Sequence, residues 1–187
     1  MSALSFDGEV PAVFPDWSPY RDLDSAARAY LRDPELALEA LHGVLQGASV
    51  LGFTLERFVK EDNGVWQEAV VCDGSRLILW HGEDIPAGDN PAGAMTSSLR
   101  VIPLSSILEV GCRRRLIRTG AGPTRVDSID VYVLLGSLDD RDDAEHPTPR
   151  HDALRFSKTL DEGGAGQISR LEEFARLLAG LVGRPML

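Results

Sequence analysis

From residue 49 onward, the chain is a succession of short apolar segments separated by turn signals. Apolar side chains recur at every second position in the first of them, residues 49–59, which is the period of a half-buried strand. Asp73 and Gly74 then separate two further apolar segments, and an Asp-Gly pair in this position is typical of a tight β-hairpin. The pattern predicts an antiparallel meander, because such turns connect antiparallel strands.

The same signals continue to residue 157 and predict seven strands. Each segment is rich in apolar and β-branched residues and is bounded by Gly, Pro, Asn or Asp. The predicted strands are residues 49–59, 65–72, 76–81, 98–102, 107–118, 126–136 and 153–157.

Three helices are predicted around these strands. A glycine-rich stretch precedes residues 167–182, in which apolar side chains recur every three or four positions, as in a helix that covers a sheet. Before the strands, residues 25–32 follow Asp24 and residues 34–46 follow Asp33. An Asp directly before a helix is a favoured N-cap.

The chain before these helices is predicted to be an extended arm. Pro11, Pro15 and Pro19 interrupt helix and strand alike. Phe14 and Trp17 stand between them, and we expect these aromatic side chains to dock on the protein, because a free tail would leave them in water. The chain therefore divides into an arm at 1–23, N-terminal helices at 24–47 that pack on the strands, and a strand-rich domain at 48–187.

Two segments carry a resemblance to a known family. DGSRLILWHGED at residues 73–84 is followed by RVIPLSSILEV at residues 100–110, and these segments resemble bacterial pleckstrin-homology (PH)-like and GRAM-like domains, similar to uncharacterised actinobacterial proteins. The resemblance covers residues 49–183. It implies an α+β, β-dominated fold, a PH-like bent antiparallel barrel of about seven strands closed by the C-terminal helix, with the arm and helix pair before it.

Charge constrains the partners. The formal net charge of -10 disfavours nucleic acid and anionic membranes, which it would repel at long range. PH-family domains that bind phosphoinositides use basic residues near the loop between the first two strands, and here that loop, KEDNG at residues 60–64, lacks the basic signature. The arginines at 113–115 and 118 would alternate between two strand faces, so they predict a solvated strand end.

Location and redox state follow from simpler signals. The sequence has no run of about 18 apolar residues, which a membrane-spanning helix requires. Asp7 and Glu9 stand where a secretory signal needs a basic region and an apolar region, so we expect a cytoplasmic protein. Cys72 and Cys112 lie in apolar segments without metal-ligand spacing, which predicts two buried free thiols, with a disulfide as the minor alternative.

Candidate site residues fall in two places. Trp66, Trp80 and His81 lie on predicted strands and are expected to line a binding rim at the open end of the barrel. A second candidate is an acidic loop whose donors suit a hard divalent cation, although it lacks the calcium-loop pattern and a solvated loop is the favoured interpretation. The cation-attracting residues would be Asp139, Asp140, Asp142, Asp143, Glu145 and His146.

The sequence contains no recognisable catalytic motif. It lacks a nucleophile elbow, a zinc-protease motif and a phosphate-binding glycine loop, so we expect neither an enzyme nor a cofactor. The leading hypothesis is a non-catalytic PH-like scaffold that acts through protein–protein contacts, self-association included. One alternative is a small-molecule or lipid-binding module that uses the open end of the barrel. An enzyme of unknown class is the alternative with the least support.

Overall fold

The structure, a computed structural model, describes residues 15–86, 93–118, 120–136 and 152–183. Within these ranges the chain forms three α-helices, seven strands and a short 3-10 helix at Leu104–Ser106. The elements in chain order are α1 (Leu23–Tyr30), α2 (Pro34–Leu45), β1 (Gly52–Val59), β2 (Val65–Cys72), β3 (Arg76–Asp84), β4 (Met95–Pro103), β5 (Ile107–Arg118), β6 (Thr124–Leu135), β7 (Asp152–Thr159) and α3 (Leu160–Val182).

The described strands form two antiparallel sheets. One has the order β1-β2-β3-β4 and the other the order β5-β6-β7, and each strand pairs with the next along the chain within its sheet. The predicted strand-rich α+β fold with a C-terminal helix is confirmed. The described strands do not close into a barrel, because no ladder joins the two sheets.

The four-stranded sheet is the central layer of the molecule. Its two inner strands contain consecutive apolar residues because they are buried on both faces. One face packs on the three-stranded sheet and α3, and we call it the inner face; the other packs on α1 and α2, and we call it the helix face. Val70, Cys72, Leu77 and Leu79 lie on the inner face, and Phe53, Leu55, Ala69, Val71, Ile78 and Trp80 lie on the helix face.

Helix α3 begins earlier than the amphipathic pattern predicts. Its N-cap is Thr159, whose side chain accepts a hydrogen bond from the Glu162 backbone N–H at 3.2 Å. Gly164 interrupts the helix with a φ of 69°, a conformation that glycine adopts without steric cost. The glycine-rich stretch therefore kinks the helix instead of preceding it. Beyond the kink, the predicted apolar stripe packs between the two sheets, with Ile168, Leu171, Phe174 and Leu178 all buried.

The caps of the N-terminal helices differ from the prediction. Asp22, not Asp24, caps α1 and accepts a hydrogen bond from the Ser25 N–H at 2.8 Å. Asp33 occupies the N-cap position of α2, but its backbone is left-handed and its side chain makes no capping bond. Its carboxylate instead accepts a hydrogen bond from Nε of Arg32 at 3.0 Å.

The arm docks through Trp17, as predicted. Trp17 is fully buried, with its ring 5.6 Å from the ring of Phe53 and 5.7 Å from the guanidinium of Arg170 in α3. Asp16 accepts a hydrogen bond from Gln167, so the arm joins the start of the fold to its last helix. The prediction for Phe14 lies outside the described residues.

In the part of the chain that the structure describes, no helix is long and apolar enough to cross a membrane.

We expect Gly82→Ala to destabilise the fold. A Cβ at Gly82 would lie 2.6 Å from Cη2 of Trp80, whose ring is fully buried and held by a 2.9 Å bond from its Nε1 to Ser97. Forcing that ring to move should cost about 1 to 3 kcal/mol, measured by urea unfolding. In the control Gly43→Ala, the added Cβ meets nothing within 4 Å, so this α2 variant should gain about 1 kcal/mol. An unchanged free energy of unfolding for Gly82→Ala would contradict the packing described.

Candidate functional site

The structure separates the three predicted rim residues. Trp80 is fully buried on the helix face, beneath α1 and α2. Trp66 and His81 lie on the inner face instead, because their positions alternate with that of Trp80 along paired strands. Trp80 therefore lies outside the surface that Trp66 and His81 form.

Trp66 and His81 form an aromatic group together with Phe58. The rings of Phe58 and Trp66 are stacked with centroids 4.7 Å apart, and the rings of Trp66 and His81 are 5.1 Å apart and tilted. Phe58 is 45% exposed, while Trp66 and His81 are half-buried. A partly exposed aromatic surface of this kind can pack against an apolar ligand or a partner. The binding role of Trp66 and His81 stays a prediction.

A row of polar side chains crosses the inner face beside this aromatic group. Glu56 pairs with Glu68, Glu68 with His81, and His81 with Ser98. Side chains that are directly paired across antiparallel strands lie on the same face. The row therefore runs through all four strands of this sheet, next to the apolar core formed by Val70 and Leu79.

Lys158 of β7 reaches this row from the opposite sheet. It is 2% exposed, and its Nζ lies 2.9 Å from Oε2 of Glu56 and 5.7 Å from the centre of the Tyr30 ring. Burial lowers the pKa of Lys158 and raises the pKa of Glu56, and the attraction between the two groups opposes both shifts. Removing one partner of such a pair typically costs about 3 to 5 kcal/mol, because the other charge is left buried alone.

Glu68, in the same row of polar side chains, is a further ionisable group with an altered pKa. Burial, together with repulsion from the neighbouring Glu56 carboxylate, raises its pKa to about 7. The carboxyl group of Glu68 therefore changes its protonation near neutral pH, so this end of the inner face carries a pH-dependent charge.

The basic residue of the loop between β1 and β2, Lys60, contacts acidic residues of β3. Nζ of Lys60 lies 3.1 Å from Oε1 of Glu83 and 3.2 Å from the backbone oxygen of Asp84. Asp84 also accepts hydrogen bonds from Arg32 and from the Val65 N–H, and the guanidinium of Arg32 lowers the pKa of Asp84 to about 2. These contacts join α1 and α2 to the sheet and are structural.

The arginines of β5 are divided between partners, as the alternation predicts. Arg113 pairs with Asp130 and Arg115 with Asp127, both carboxylates of β6. Arg114 points to the other face and pairs with Glu172 of α3. These arginines therefore form no single basic patch.

The cysteines lie within the described ranges, whereas the acidic loop does not. Cys72 is buried and free as predicted, whereas the prediction of burial for Cys112 is wrong, because its thiol is exposed on an edge strand. The residues proposed to attract a cation, Asp139 to His146, lie outside the described residues. Among the residues that the structure does describe, no group of three or more His, Cys, Asp or Glu side chains is placed to hold a metal ion.

Strand β4 forms an exposed edge of the four-stranded sheet. All residues from Thr96 to Val101 are exposed, including Leu99 at 37% and Val101 at 41%. Both apolar side chains lie on the helix face, opposite Trp80 and Ile78 of β3, but beyond the cover of the helices. The unpaired backbone groups of an edge strand are a template for pairing with another chain.

Sequence reasoning predicted the strand at residues 98–102 but not its position at an exposed sheet edge, and it did not find the buried Lys158; each of these features carries a signal. Lys158 follows Leu154 and Phe156 at alternating positions of β7, so it shares their inward face. Strand β4 has one charged residue, Arg100, among nine, which is little protection for a strand at a sheet edge.

Comparison of the chain with protein-family models, with curated proteins and with solved structures finds no significant match. The resemblance to PH-like and GRAM-like domains therefore stays a prediction.

Replacing Glu68 with Gln should stabilise the protein most at alkaline pH. The raised pKa means that ionised Glu68 costs stability, and this cost is absent below its unfolded pKa near 4.5 and complete above about 7. We therefore expect Glu68→Gln to gain about 2 to 3 kcal/mol at pH 8 and little at pH 4.5, measured by urea unfolding at both values. Exposed Glu39 of α2 provides the control variant Glu39→Gln, for which no such pH-dependent gain is expected. Equal effects of Glu68→Gln at both pH values would contradict the burial of this carboxyl group.

Proposed function

We propose that the chain is a non-catalytic scaffold of the PH-like type that acts through protein–protein contacts in the cytoplasm, self-association included. The exposed β4 edge is the observation that carries this proposal. Its six consecutive exposed residues include Leu99 and Val101, and such an edge favours β-strand addition by a partner.

The order of elements supports the PH-like part of the proposal. Seven antiparallel strands in two sheets are followed by one helix that packs between the sheets. The resemblance of residues 49–183 implies this order of elements, and it also implies a barrel, which the described strands do not close. Folds of this kind serve many functions, so the proposal depends on the surface of β4 and not on the fold alone.

A second candidate function is binding to a lipid surface or a small molecule at the aromatic group. Phe58 and Val59 are 45% and 42% exposed at the end of β1, and Phe58 stacks on Trp66. Aromatic and apolar side chains at the tip of a hairpin can enter the interfacial region of a membrane. The net charge of -10 directs this candidate to neutral lipids, because anionic ones would repel the chain.

Replacing Leu99 with Lys should weaken the protein contacts made by β4. A charge on an edge strand blocks strand pairing, so we expect Leu99→Lys to weaken association at least about tenfold, as measured by light scattering and by affinity capture from native lysate. Leu116→Lys is the matched control, because Leu116 is also exposed, at 55%, but lies on β5 among arginines.

Two results would remove the support for this proposal. One is a strictly monomeric wild-type protein that retains no specific protein from lysate. The other is an equal loss of association in the Leu99→Lys and Leu116→Lys variants, which would place the contacts elsewhere.

Flotation with vesicles tests the second candidate. If the aromatic group binds lipid, the wild-type protein should float with neutral phosphatidylcholine vesicles, and Trp66→Ala should reduce recovery at least about fivefold, because the variant removes the largest ring of the group. The control is Tyr20→Ala, which removes an exposed ring that does not belong to the aromatic group. No recovery of the wild-type protein with neutral or anionic vesicles would end the lipid version of this candidate.

A further inference from the structure

The described strands leave four sheet edges, on β1, β4, β5 and β7. A sheet edge presents unpaired backbone N–H and C=O groups. Soluble proteins protect such edges with charged side chains, bulges, inward-pointing charges or covering elements, since an unprotected edge pairs with other chains. The four edges of this protein differ in how far they are protected.

Three of these edges carry protection. At the start of β1, Phe174 and Leu177 of α3 pack over Gly52 on the inner face, and the contacts between α3 and β1 place this helix beside the edge. Strand β5 contains four arginines and two irregularities in its register with β6, which bend a strand away from a straight pairing surface. Strand β7 directs the charged side chain of Lys158 inward. Each feature hinders the approach of another strand.

Among the described residues, no element covers the outer edge of strand β4, and its pairing with β3 has no register irregularity. Arg100 is the single charged residue in Met95–Pro103. The strand pairs with β3 residue by residue along its whole length without a register shift, so its outer edge is straight. Pro103 stands at the last position, where it ends the strand and leaves the preceding residues able to pair. Of the four edges that the described residues form, β4 is therefore the one suited to strand addition.

We infer that β4 pairs antiparallel with β4 of a second copy of this chain, about a two-fold axis at Leu99. This inference rests on the proposed function and names its partner. Leu99 is the middle residue of the nine in Met95–Pro103, so this register pairs every residue of the strand with a residue of the other copy. The two four-stranded sheets become one continuous sheet, in an isologous interface of the kind that closed dimers use.

Side-chain chemistry agrees with this register. Leu99 lies opposite Leu99 of the second copy, and Ser97 lies opposite Val101, all on the helix face. Arg100 lies opposite Ser98 on the inner face, and each Arg100 already has an ion-pair partner in its own chain, Asp152. Apolar cross-strand pairs stabilise a sheet, and like charges directly opposite each other destabilise it.

The neighbouring two-fold registers are less favourable. An axis at Arg100 places the two arginines directly opposite each other, which is the destabilising arrangement. An axis at Ser98 places Leu99 opposite Ser97 and leaves Ile102 and Pro103 without partners. The register centred on Leu99 avoids both defects, because it uses the full strand and keeps the arginines offset.

Cysteine cross-linking tests the register directly. Single cysteines are placed at positions 97, 99 and 101 in the full-length Cys112→Ser protein, which lacks the exposed native thiol, and a short bismaleimide joins nearby thiols at about 0.15 M salt. Leu99→Cys should form dimers at least about tenfold faster than Ser97→Cys or Val101→Cys alone. In those two variants, identical positions are four residues apart, or about 13 Å along the strands. Mixing Ser97→Cys with Val101→Cys should restore rapid cross-linking, and this mixture keeps Leu99 intact.

The outcomes separate this inference from the proposed function. Rapid cross-linking of Leu99→Cys and of the 97 and 101 mixture supports the register. A maximum in a mixture of 99 and 101, or of 97 and 99, overturns it, as does a wild-type protein that light scattering shows to be monomeric. A monomeric protein that still captures another protein, and loses it on Leu99→Lys, would overturn the second copy as partner while the proposed function stands.

Discussion

The burial of the four-stranded sheet on both faces is the constraint on which the rest of the structure depends. Its inner strands carry consecutive apolar residues, such as Val70 and Val71 of β2, and these point to opposite sides. Each such side chain contributes about 1.5 to 3 kcal/mol when buried, so both sides need a cover. The second sheet with α3 supplies one, and the short helices α1 and α2 supply the other. The N-terminal helices are therefore part of the core and not an appendage.

The layers that cover the two faces do not cover the ends and edges of the sheet. At one end of the inner face, ionisable side chains replace the apolar ones, and Lys158 forms a buried ion pair with Glu56. Such a pair gives little net stability, since desolvation offsets its attraction. It does restrict how the two sheets can slide past each other, because any shift would separate the two charges. The edges differ in protection, and among the described residues no element covers the outer side of β4.

Local patterns were sufficient to predict the elements but not their partners. The predicted ranges 65–72 and 107–118 match β2 and β5 residue by residue, because turn residues bound both segments sharply. The predicted start of α3 was too late because of Gly164. A glycine-rich stretch in a sequence indicates the end of a helix, whereas here the helix continues through Gly164 with a kink. Trp80 was assigned to an exposed rim because nothing near it in sequence shows that α1 and α2 cover β3. Long-range packing decides which face of a strand is exposed to solvent, and the periodicity within one strand does not show which elements will cover that face.

The packing of Trp17 also has a consequence for the order in which parts of the molecule fold. This side chain precedes α1 in the chain, yet its ring lies against Arg170 of α3. Trp17 therefore cannot reach its buried position until α3 has been synthesised, because part of its native surroundings is absent before then. During synthesis, the growing chain leaves this tryptophan without its native cover until α3 emerges.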